Sequence, residues 1–529
     1  MGTSVRAHTD ALPLSPAWTG SRATMLILGL FVLAVGVRLI GLGSDPVWFD
    51  EAATLEIAAL PYSDIFGTVG PLESSPPGFY ALARLWVSLV GEQITLVRLL
   101  PALAGALTIL PVWFMARDAY GDRAAMLCAA MLALTASHVR LSQDARTYTA
   151  LCLLFACALL LAERLTRRSA LDRGTLALTA TLGVIQGGML WLHGTASVQI
   201  ALIGIFLVVA GTLGALGLRR TMVIAGVAGM MAAAIGALPL LYALAHVGGE
   251  EFSDRWIDDL DLIEALRIYG RTLVAPYLHG LSPVAGLLQA GLVGVAVVLG
   301  LRRRDPTTLG LVAALGGLAL VLPLMSGLLP IMLDRTILFM LIPLQLLVAA
   351  GAARLPRPGF AIAAVALLAL NLVGVIHYNR IEVRKEQWPA VAAWMSPRLQ
   401  GEPILVTEGA FAARALALPF AERRLSPRII VLAPSNPLEE LVAQRGPRPY
   451  LRNVQDLCRL AQGAPAVWAV SRGLPPTVAE DPGYTARPAL EQALRAAGSA
   501  ITAQRDADNF VVRRWTLPGC TTRSAPAPR

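Results

Sequence analysis

Long apolar segments recur along the chain, and each is close to the length that an α-helix needs to cross a bilayer. About 20 apolar residues span the hydrocarbon core at a rise of about 1.5 Å per residue. Eleven segments approach this length: 25–42, 99–116, 124–139, 148–163, 175–192, 197–217, 221–245, 282–301, 308–329, 336–353 and 360–377. The pattern predicts a polytopic α-helical membrane protein with about eleven transmembrane helices. The first segment is expected to be a retained helix, since no small-residue cleavage site follows it.

A further apolar stretch, 77–90, is interrupted by Arg84 and bounded by Pro76-Pro77 and Gly91-Glu92. Arginine clusters decide whether it crosses, because cytoplasmic loops carry an excess of Lys and Arg. Five clusters each follow two further predicted spans: Arg117/Arg123, Arg164/Arg167/Arg168/Arg173, Arg219/Arg220, Arg302/Arg303/Arg304 and Arg354/Arg357. All five are cytoplasmic only if 77–90 does not cross. We therefore predict that 77–90 lies on the outer surface as an amphipathic segment.

The same arrangement divides the chain into three parts. Residues 1–24 form a cytoplasmic N-terminus, and residues 25–378 form the membrane domain, in which 43–98 is a long outer loop. From about Asn379 the composition shifts, and four short apolar runs predict buried strands: 404–406, 429–432, 467–470 and 510–515. Helical stretches are predicted at 437–444 and 490–497. Residues 379–529 are thus expected to form a small soluble α/β domain outside the cytoplasm, of a typical domain size.

Composition supports a membrane protein and excludes other classes. The chain is 56% hydrophobic and only 15% charged, with a mean hydropathy of +0.61. Its net charge of +9 is accounted for by cytoplasmic loops, and no nucleic-acid-binding motif occurs. Cys128, Cys152 and Cys157 lie in apolar runs, where a small hydrophobic role is expected. Cys458 and Cys520 can pair only if the fold brings them together, which their spacing leaves open.

Two adjacent carboxylates, Asp50 and Glu51, follow Trp48-Phe49 just beyond the first apolar segment. Ionisable side chains at the edge of hydrocarbon are costly to desolvate, so their presence favours a functional role. The alternative is that they cap the helix that begins at this point, because acids are stabilising at helix N-termini. Their setting predicts an active site at the outer surface of the membrane.

Four motifs in order along the first 380 residues carry a resemblance: 48–52 (WFDEA), 73–80 (ESSPPGFY), 142–148 (SQDARTY) and Asp334-Arg335 before an apolar helix. Together they resemble the GT-C superfamily of membrane glycosyltransferases. The branch they resemble holds protein O-mannosyltransferases, the aminoarabinose transferase of lipid A and the lipid A core galacturonosyltransferases. The resemblance implies transfer of a sugar from a polyprenyl-phosphate donor to a lipid, glycan or protein acceptor. The reaction is expected at the outer face of the cytoplasmic (inner) membrane.

The reaction implied by this resemblance assigns roles to the candidate residues. A base must take the proton of the acceptor hydroxyl, and we assign this role to Asp50, with Glu51 orienting the acceptor or tuning Asp50. Direct attack by the acceptor inverts the anomeric centre. The lipid phosphate leaving group needs cations, for which Arg335 and Arg146 are the first candidates. The remaining donor- or acceptor-binding candidates are Glu73, Asp144, Tyr148, His193 and Lys385.

Each binding assignment has a structural alternative. Glu73 is equally typical of a surface loop, Asp144 and Arg146 of a local ion pair, and Arg335 of an arginine that reaches the lipid headgroups. For His193 an interfacial position at a helix end is favoured over a functional one. For Lys385 a solvated juxtamembrane position is favoured.

Metal and other functional classes complete the expectations. Asp50, Glu73 and Asp144 share one predicted face and could hold a divalent cation through oxygen ligands, but we expect no metal and no other cofactor. A transporter of lipid-linked or anionic substrates is a second hypothesis, although it favours mid-membrane charges and repeated halves. A polyprenyl-linked polysaccharide polymerase or ligase is a third, and it is disfavoured by the early Asp-Glu loop.

Overall fold

Helices predominate among the described residues up to 380, and a mixed sheet lies in the C-terminal part. The structure, a computed structural model, describes residues 20–69, 75–246, 261–326, 332–381, 385–435, 437–452, 456–474, 479, 485–507, 509–518 and 520. Most of the predicted cytoplasmic N-terminus, residues 1–19, therefore lies outside the described residues.

The helices of the membrane part begin and end as follows: α1 Gly20–Leu39, α2 Phe49–Ala59, α3 Gly78–Val90, α4 Ile94–Leu107, α5 Ile109–Tyr120, α6 Asp122–Leu134, α7 Ala136–Ser142, α8 Tyr148–Thr166, α9 Arg173–Leu192, α10 Ala196–Leu213, α11 Gly217–His246, α12 Leu262–Tyr269, α13 Pro283–Leu301, α14 Pro306–Ser326, α15 Leu341–Ala352 and α16 Arg357–Arg380. Short helical turns occur at Tyr62–Asp64, Ile65–Val69, Gly270–Val274, Leu278–Leu281 and Leu338–Met340.

Each of the eleven predicted membrane segments corresponds to a helix or a helix pair over most of its described residues. Among the described residues, nine helices are long and apolar enough to cross a membrane, with α4 and α5 counted as one continuous span. A tenth segment is the pair α6 and α7, which is bent by 56° at a break next to Thr135. The eleventh, Leu338–Ala352, is shorter. The prediction of a polytopic helical membrane protein is therefore confirmed.

The doubtful stretch at 77–90 is the helix α3, which has only 13 residues. At 1.5 Å per residue it is about 20 Å long, too short to cross the hydrocarbon core. Its buried side includes Tyr80, whereas Leu89 on the other side is 72% exposed. Arg84 donates to the carbonyl oxygens of Ala58 and Ala59 at the end of α2. These features agree with an amphipathic segment, while its sidedness stays a prediction.

A six-stranded sheet organises the C-terminal part. Its strands are β1 Ile404–Val406, β2 Ile429–Leu432, β3 Tyr450–Leu451, β4 Ala466–Arg472, β5 Ile501–Ala507 and β6 Phe510–Thr516, in the order β3-β2-β1-β4-β6-β5. The strands β3, β2, β1 and β4 are parallel, and β4, β6 and β5 pair antiparallel. The helices are α17 Trp388–Met395, α18 Gly409–Glu422, α19 Pro437–Arg445, α20 Leu457–Leu460 and α21 Arg487–Ala496, with a short turn at Ser396–Arg398.

The predicted strands and helices of this part are confirmed within one or a few residues, whereas β3 and β5 are additional. β1 is the central parallel strand: its Leu405 lies opposite Ile430 of β2 and Ala469 of β4. Its three residues are fully buried, as expected of a parallel strand covered on both faces. A disulfide joins Cys458 to Cys520, with 5.0 Å between their Cα atoms, which answers the pairing question.

The C-terminal part packs directly on α2. One hydrophobic cluster contains Ala52 and Leu55 of α2 together with Trp388 and Leu416 of the C-terminal part. Glu56 of α2 also pairs with Arg448, at 3.0 Å. The helix that carries Asp50 and Glu51 is therefore held between the membrane helices and the C-terminal sheet.

The close approach of α13 and α15 generates a stability prediction. A Cβ atom at Gly351 of α15 would overlap the carbonyl oxygen of Ala296 in α13. We expect Gly351→Ala to destabilise the protein by about 1–3 kcal/mol through overpacking, measured as a lower melting temperature in detergent. The control is Gly316→Ala in α14, where a Cβ meets nothing within 4 Å and alanine favours the helix. Equal melting temperatures for the two variants would contradict the packing argument.

Candidate active site

Glu51 is the most heavily bonded residue at the start of α2. Its carboxylate is completely buried and forms a two-point ion pair with Arg98 of α4, from Nε to Oε1 at 2.8 Å and from Nη2 to Oε2 at 2.7 Å. Lys385 Nζ donates to Oε2 at 3.1 Å, and the backbone N–H of Ala145 donates to Oε1 at 2.9 Å. Both carboxylate oxygens are thus saturated with donors.

These donors determine the charge of Glu51. Burial alone would raise its pKa, but the charges of Lys385 and Arg98 and the hydrogen bonds to Arg98 and Ala145 hold the pKa well below its usual range. Glu51 is therefore a permanent anion at physiological pH. A carboxylate in this state is suited to anchoring neighbouring residues and is a poor proton acceptor.

Asp50, one residue earlier, has different surroundings. It is only half-buried, and within the described part of the chain its carboxylate has neither a hydrogen-bond nor an ion-pair partner. Its backbone oxygen accepts from Thr54 Oγ1 at 3.1 Å and from Arg146 Nη1 at 3.3 Å. The carboxylate is therefore available to a substrate, next to a guanidinium group.

Lys385 lies inside the site, which corrects the expected solvated juxtamembrane position. Its side chain is 10% exposed, and its Nζ lies 2.6 Å from Asp144 Oδ1 as well as 3.1 Å from Glu51 Oε2. The ammonium group sits between two buried carboxylates and compensates the charge of both. Asp144 thus pairs with Lys385, which is distant in the sequence. The ion pair considered for Asp144 from the sequence was a local one, with Arg146.

The predicted phosphate-binding residues gather near the start of α8. Arg146 Nη1 lies 3.4 Å from Tyr80 Oη and 3.5 Å from Thr54 Oγ1. The rings of Tyr148 and His193 are 5.9 Å apart. Arg335 lies in the segment before α15, and its charge contributes to lowering the pKa of His193.

His193 is held as a neutral side chain. Burial, together with the charges of Arg146 and Arg335, lowers its pKa to about 3. The backbone N–H of Thr195 donates to Nδ1 at 3.1 Å, so the neutral ring carries its proton on Nε2. His193 therefore offers one N–H donor beside two arginines, which is compatible with binding an anion.

Two buried arginines that the sequence interpretation did not select support the site. Arg98 also donates to the carbonyl oxygens of Leu42, Asp45 and Pro46, and so holds the loop before α2. Arg38 of α1 donates to Ser142 Oγ at 3.1 Å, lies 2.7 Å from His138 Nδ1 and contacts carbonyl oxygens at the end of α6. The sequence signal that could have identified both residues is a single arginine within or next to an apolar segment, since a charge in such a segment requires partners.

Metal ligands do not assemble in the described part of the site. Among the described residues there is no group of three or more His, Cys, Asp or Glu side chains arranged to hold a metal ion. Glu73 lies in 70–74, outside the described residues, so its expected role stays a prediction. Of the other two proposed oxygen ligands, Asp144 is already paired with the Lys385 ammonium.

The contrast between the two carboxylates generates a prediction about folding. Glu51→Gln leaves the buried charge of Arg98 without its partner and is expected to lower the free energy of unfolding by about 3–5 kcal/mol. Asp50→Asn removes no contact within the described structure and is expected to change it by about 0.5 kcal/mol or less. Thermal unfolding and size-exclusion chromatography in detergent measure both. Equal losses in the two variants would contradict the assignment of Glu51 as the anchor.

The neutral state of His193 generates a pH prediction. Its pKa is about 3 in the folded protein against 6.5 for a free side chain, so the folded state binds fewer protons. Stability is therefore lost as the pH falls below about 6.5. Between about pH 7 and pH 5 the melting temperature of the wild type should fall relative to that of His193→Gln. If the melting temperatures of the two proteins changed equally with pH, the lowered pKa of His193 in the folded state would be contradicted.

Comparisons with known proteins agree with this architecture. A family model described as dolichyl-phosphate-mannose-protein mannosyltransferase matches residues 74–242. A comparison with curated protein sequences gives no significant match.

Solved structures share the fold across nearly the whole chain. ArnT from Cupriavidus metallidurans in the apo state has a TM-score of 0.62 at 15% identity, covering 93% of this chain and 98% of ArnT. ArnT bound to undecaprenyl phosphate has a TM-score of 0.59 at 16% identity, covering 97% and 100%. The oligosaccharyltransferase AglB from Archaeoglobus fulgidus has a TM-score of 0.53 at 13% identity, covering 93% and 74%. The chain therefore shares the ArnT fold over nearly its whole length, and this fold and the family match over residues 74–242 agree with the resemblance to the GT-C superfamily of membrane glycosyltransferases.

Proposed function

We propose that this protein transfers a sugar from a polyprenyl-phosphate-linked donor to the hydroxyl group of a lipid, glycan or protein acceptor, with Asp50 as the general base. The observation that carries the proposal is the open carboxylate of Asp50 beside Arg146, next to a Glu51 that is fully engaged in ion pairs. One acid is available to the substrate, and the other holds the first one in place.

The reaction needs one proton transfer and one displacement. The Asp50 carboxylate accepts the proton of the acceptor hydroxyl as that oxygen attacks the anomeric carbon of the sugar. The bond between the anomeric carbon and the phosphate oxygen breaks, and its electron pair leaves with the polyprenyl phosphate. Attack opposite the leaving group inverts the anomeric centre, and no covalent sugar intermediate forms.

Arginine side chains stabilise the leaving phosphate in this proposal. Arg146 and Arg335 supply positive charge, because charge-assisted hydrogen bonds to phosphate are stronger than neutral ones. Neutral His193 adds an N–H donor, and Tyr148 lies beside it. The step uses no metal. Lys385, paired with Glu51 and Asp144, is assigned to holding the site together rather than to binding the phosphate directly.

The proposed donor class is supported by the relatives. ArnT is known bound to undecaprenyl phosphate, and AglB in complex with an inhibitory peptide and a dolichol-phosphate. Undecaprenyl phosphate and dolichol-phosphate are both polyprenyl phosphates, which supports a lipid phosphate as the leaving group in the arginine-rich site.

The proposed location is the outer face of the cytoplasmic membrane. The arginine distribution assigns α2 and the C-terminal part to the side opposite the basic loops. The disulfide between Cys458 and Cys520 supports the same side, because such bonds persist in oxidising compartments. In this arrangement 1–24 is cytoplasmic, 25–378 spans the membrane and 379–529 lies outside the cytoplasm.

Replacement of Asp50 tests the proposed chemistry. Asp50→Asn should lower the rate of transfer by about 10²–10⁴-fold, the usual contribution of a general base, at normal abundance in the membrane. Mass spectrometry of lipids and glycans from cells with each variant should show accumulated polyprenyl-phosphate sugar and loss of the glycosylated acceptor. Asp118→Asn is the control, since Asp118 is a partly exposed carboxylate at the opposite end of the helices, paired with Arg164.

The outcomes separate the base assignment from the function. Transfer that persists in Asp50→Asn would remove Asp50 as the base. No difference in lipids or glycans between cells with and without the wild-type protein would contradict the transferase itself.

A further inference from the structure

We propose that Glu386 and Arg472 are positioning residues, through which the C-terminal part sets the place of Asp50 at the membrane surface. The inference rests on the proposed function for its kinetic consequences. It rests on contacts in the structure for its geometry, and these contacts converge on Phe49, the residue before Asp50.

Glu386 caps the start of α2 from a distant part of the chain. Its Oε2 accepts from the backbone N–H of Phe49 at 3.1 Å and from Trp388 Nε1 at 2.8 Å. The first N–H groups of a helix have no partner within the helix, and Trp48 at the N-cap position supplies none from its side chain. A carboxylate at this end is also favoured by the helix dipole.

Arg472, at the end of β4, contacts both Glu386 and Phe49. Its Nη1 donates to Glu386 Oε1 at 3.1 Å, and its guanidinium carbon lies 3.9 Å from the centre of the Phe49 ring. The Phe49 ring also makes an edge contact with Phe411 of α18, with the ring centres 5.6 Å apart. We call Glu386, Arg472 and Phe411 the Phe49 clamp. The clamp connects α2 to the sheet, its helix α18 and the segment before α17.

Lys385, next to Glu386 in the sequence, anchors Glu51, the residue that follows Asp50. It pairs with Glu51, whereas Glu386 bonds the N–H of Phe49. Asp50 thus stands between two residues anchored by adjacent side chains of one segment, while its own carboxylate has no partner in the described part of the chain. The backbone of the base is fixed from outside the membrane domain, and only its side chain is left to act.

Such positioning has a measurable kinetic effect. A displacement of about 1 Å between reacting groups can cost about a hundredfold in rate, because the near-attack geometry is lost. In the proposed function the donor phosphate is bound by Arg146 and Arg335, neither of which belongs to the Phe49 clamp. Loss of the clamp should therefore lower kcat and leave the affinity for the lipid phosphate unchanged.

The experiment compares Arg472→Met and Glu386→Gln with the wild type in the full-length protein. We expect kcat to fall about 10- to 100-fold with an unchanged KM for the donor, and unchanged binding of undecaprenyl phosphate. Hydrogen exchange at the first amides of α2 should be faster in both variants. The kcat of the double variant should be no lower than that of the more impaired single variant, since both changes break one connected set of contacts.

Two further variants make the test specific. Arg514→Met breaks an ion pair of the same sheet, between Arg514 and Glu402 at 2.6 Å, without touching α2. It should leave kcat and exchange in α2 unchanged. Arg472→Lys keeps a donor for Glu386 and should recover part of the lost kcat.

The outcomes distinguish the clamp from the proposed function. Unchanged kcat and unchanged exchange in Arg472→Met and Glu386→Gln would overturn the inference, as would equal losses in Arg514→Met. If the wild type itself transferred no sugar, the proposed function would fail. Faster exchange of the α2 amides in the clamp variants alone would then still support the positioning of α2, and unaltered exchange would overturn it.

Discussion

The ion pair between Glu51 and Arg98 is the contact on which the proposed active site depends. It joins α2 to α4, and Arg98 uses its remaining donors to hold the loop 42–46 that leads into α2. Burying such a pair is favourable only when the remaining donors and acceptors are satisfied, and here backbone groups and Lys385 complete the set. Removal of either partner would leave the charge of the other buried without its counter-ion. The surrounding residues are therefore constrained by electrostatics as much as by packing.

Because of this constraint, the two neighbouring carboxylates Glu51 and Asp50 have different surroundings and are suited to different roles. Glu51 is surrounded by cations and backbone N–H groups and remains ionised, whereas Asp50 keeps an open carboxylate beside Arg146. Residue type alone does not separate the two, because the environment of each carboxylate decides what it can do. The same holds for the basic residues: Arg146 donates to the backbone oxygen of Asp50, while Lys385 lies between two carboxylates.

The membrane fold was predictable because span length and the arginine distribution depend on local sequence alone. The buried strands β1, β2, β4 and β6 were predictable for a similar reason, since each contains consecutive or alternating apolar residues. β3 has two residues, and β5, at the edge of the sheet, contains the polar run Gln504-Arg505-Asp506, so neither has a strong signal. Asp50 was selected as the candidate base from its motif. The partners of Lys385, Arg98 and Arg38 were not, because these contacts join residues that are distant in the sequence.

The place of β6 in the sheet has a consequence for how the protein is assembled. β6 comes from residues 510–516, yet it lies between β4 and β5, next to the strand that ends at Arg472. Asp50, at the start of α2, is synthesised within the first tenth of the chain. In the proposed orientation, the sheet that supports α2 is not complete until residues beyond 500 have been translocated. Ribosome-bound or partly exported chains would therefore carry the whole set of site residues without the support that aligns them, and catalytic competence would arrive late in biogenesis.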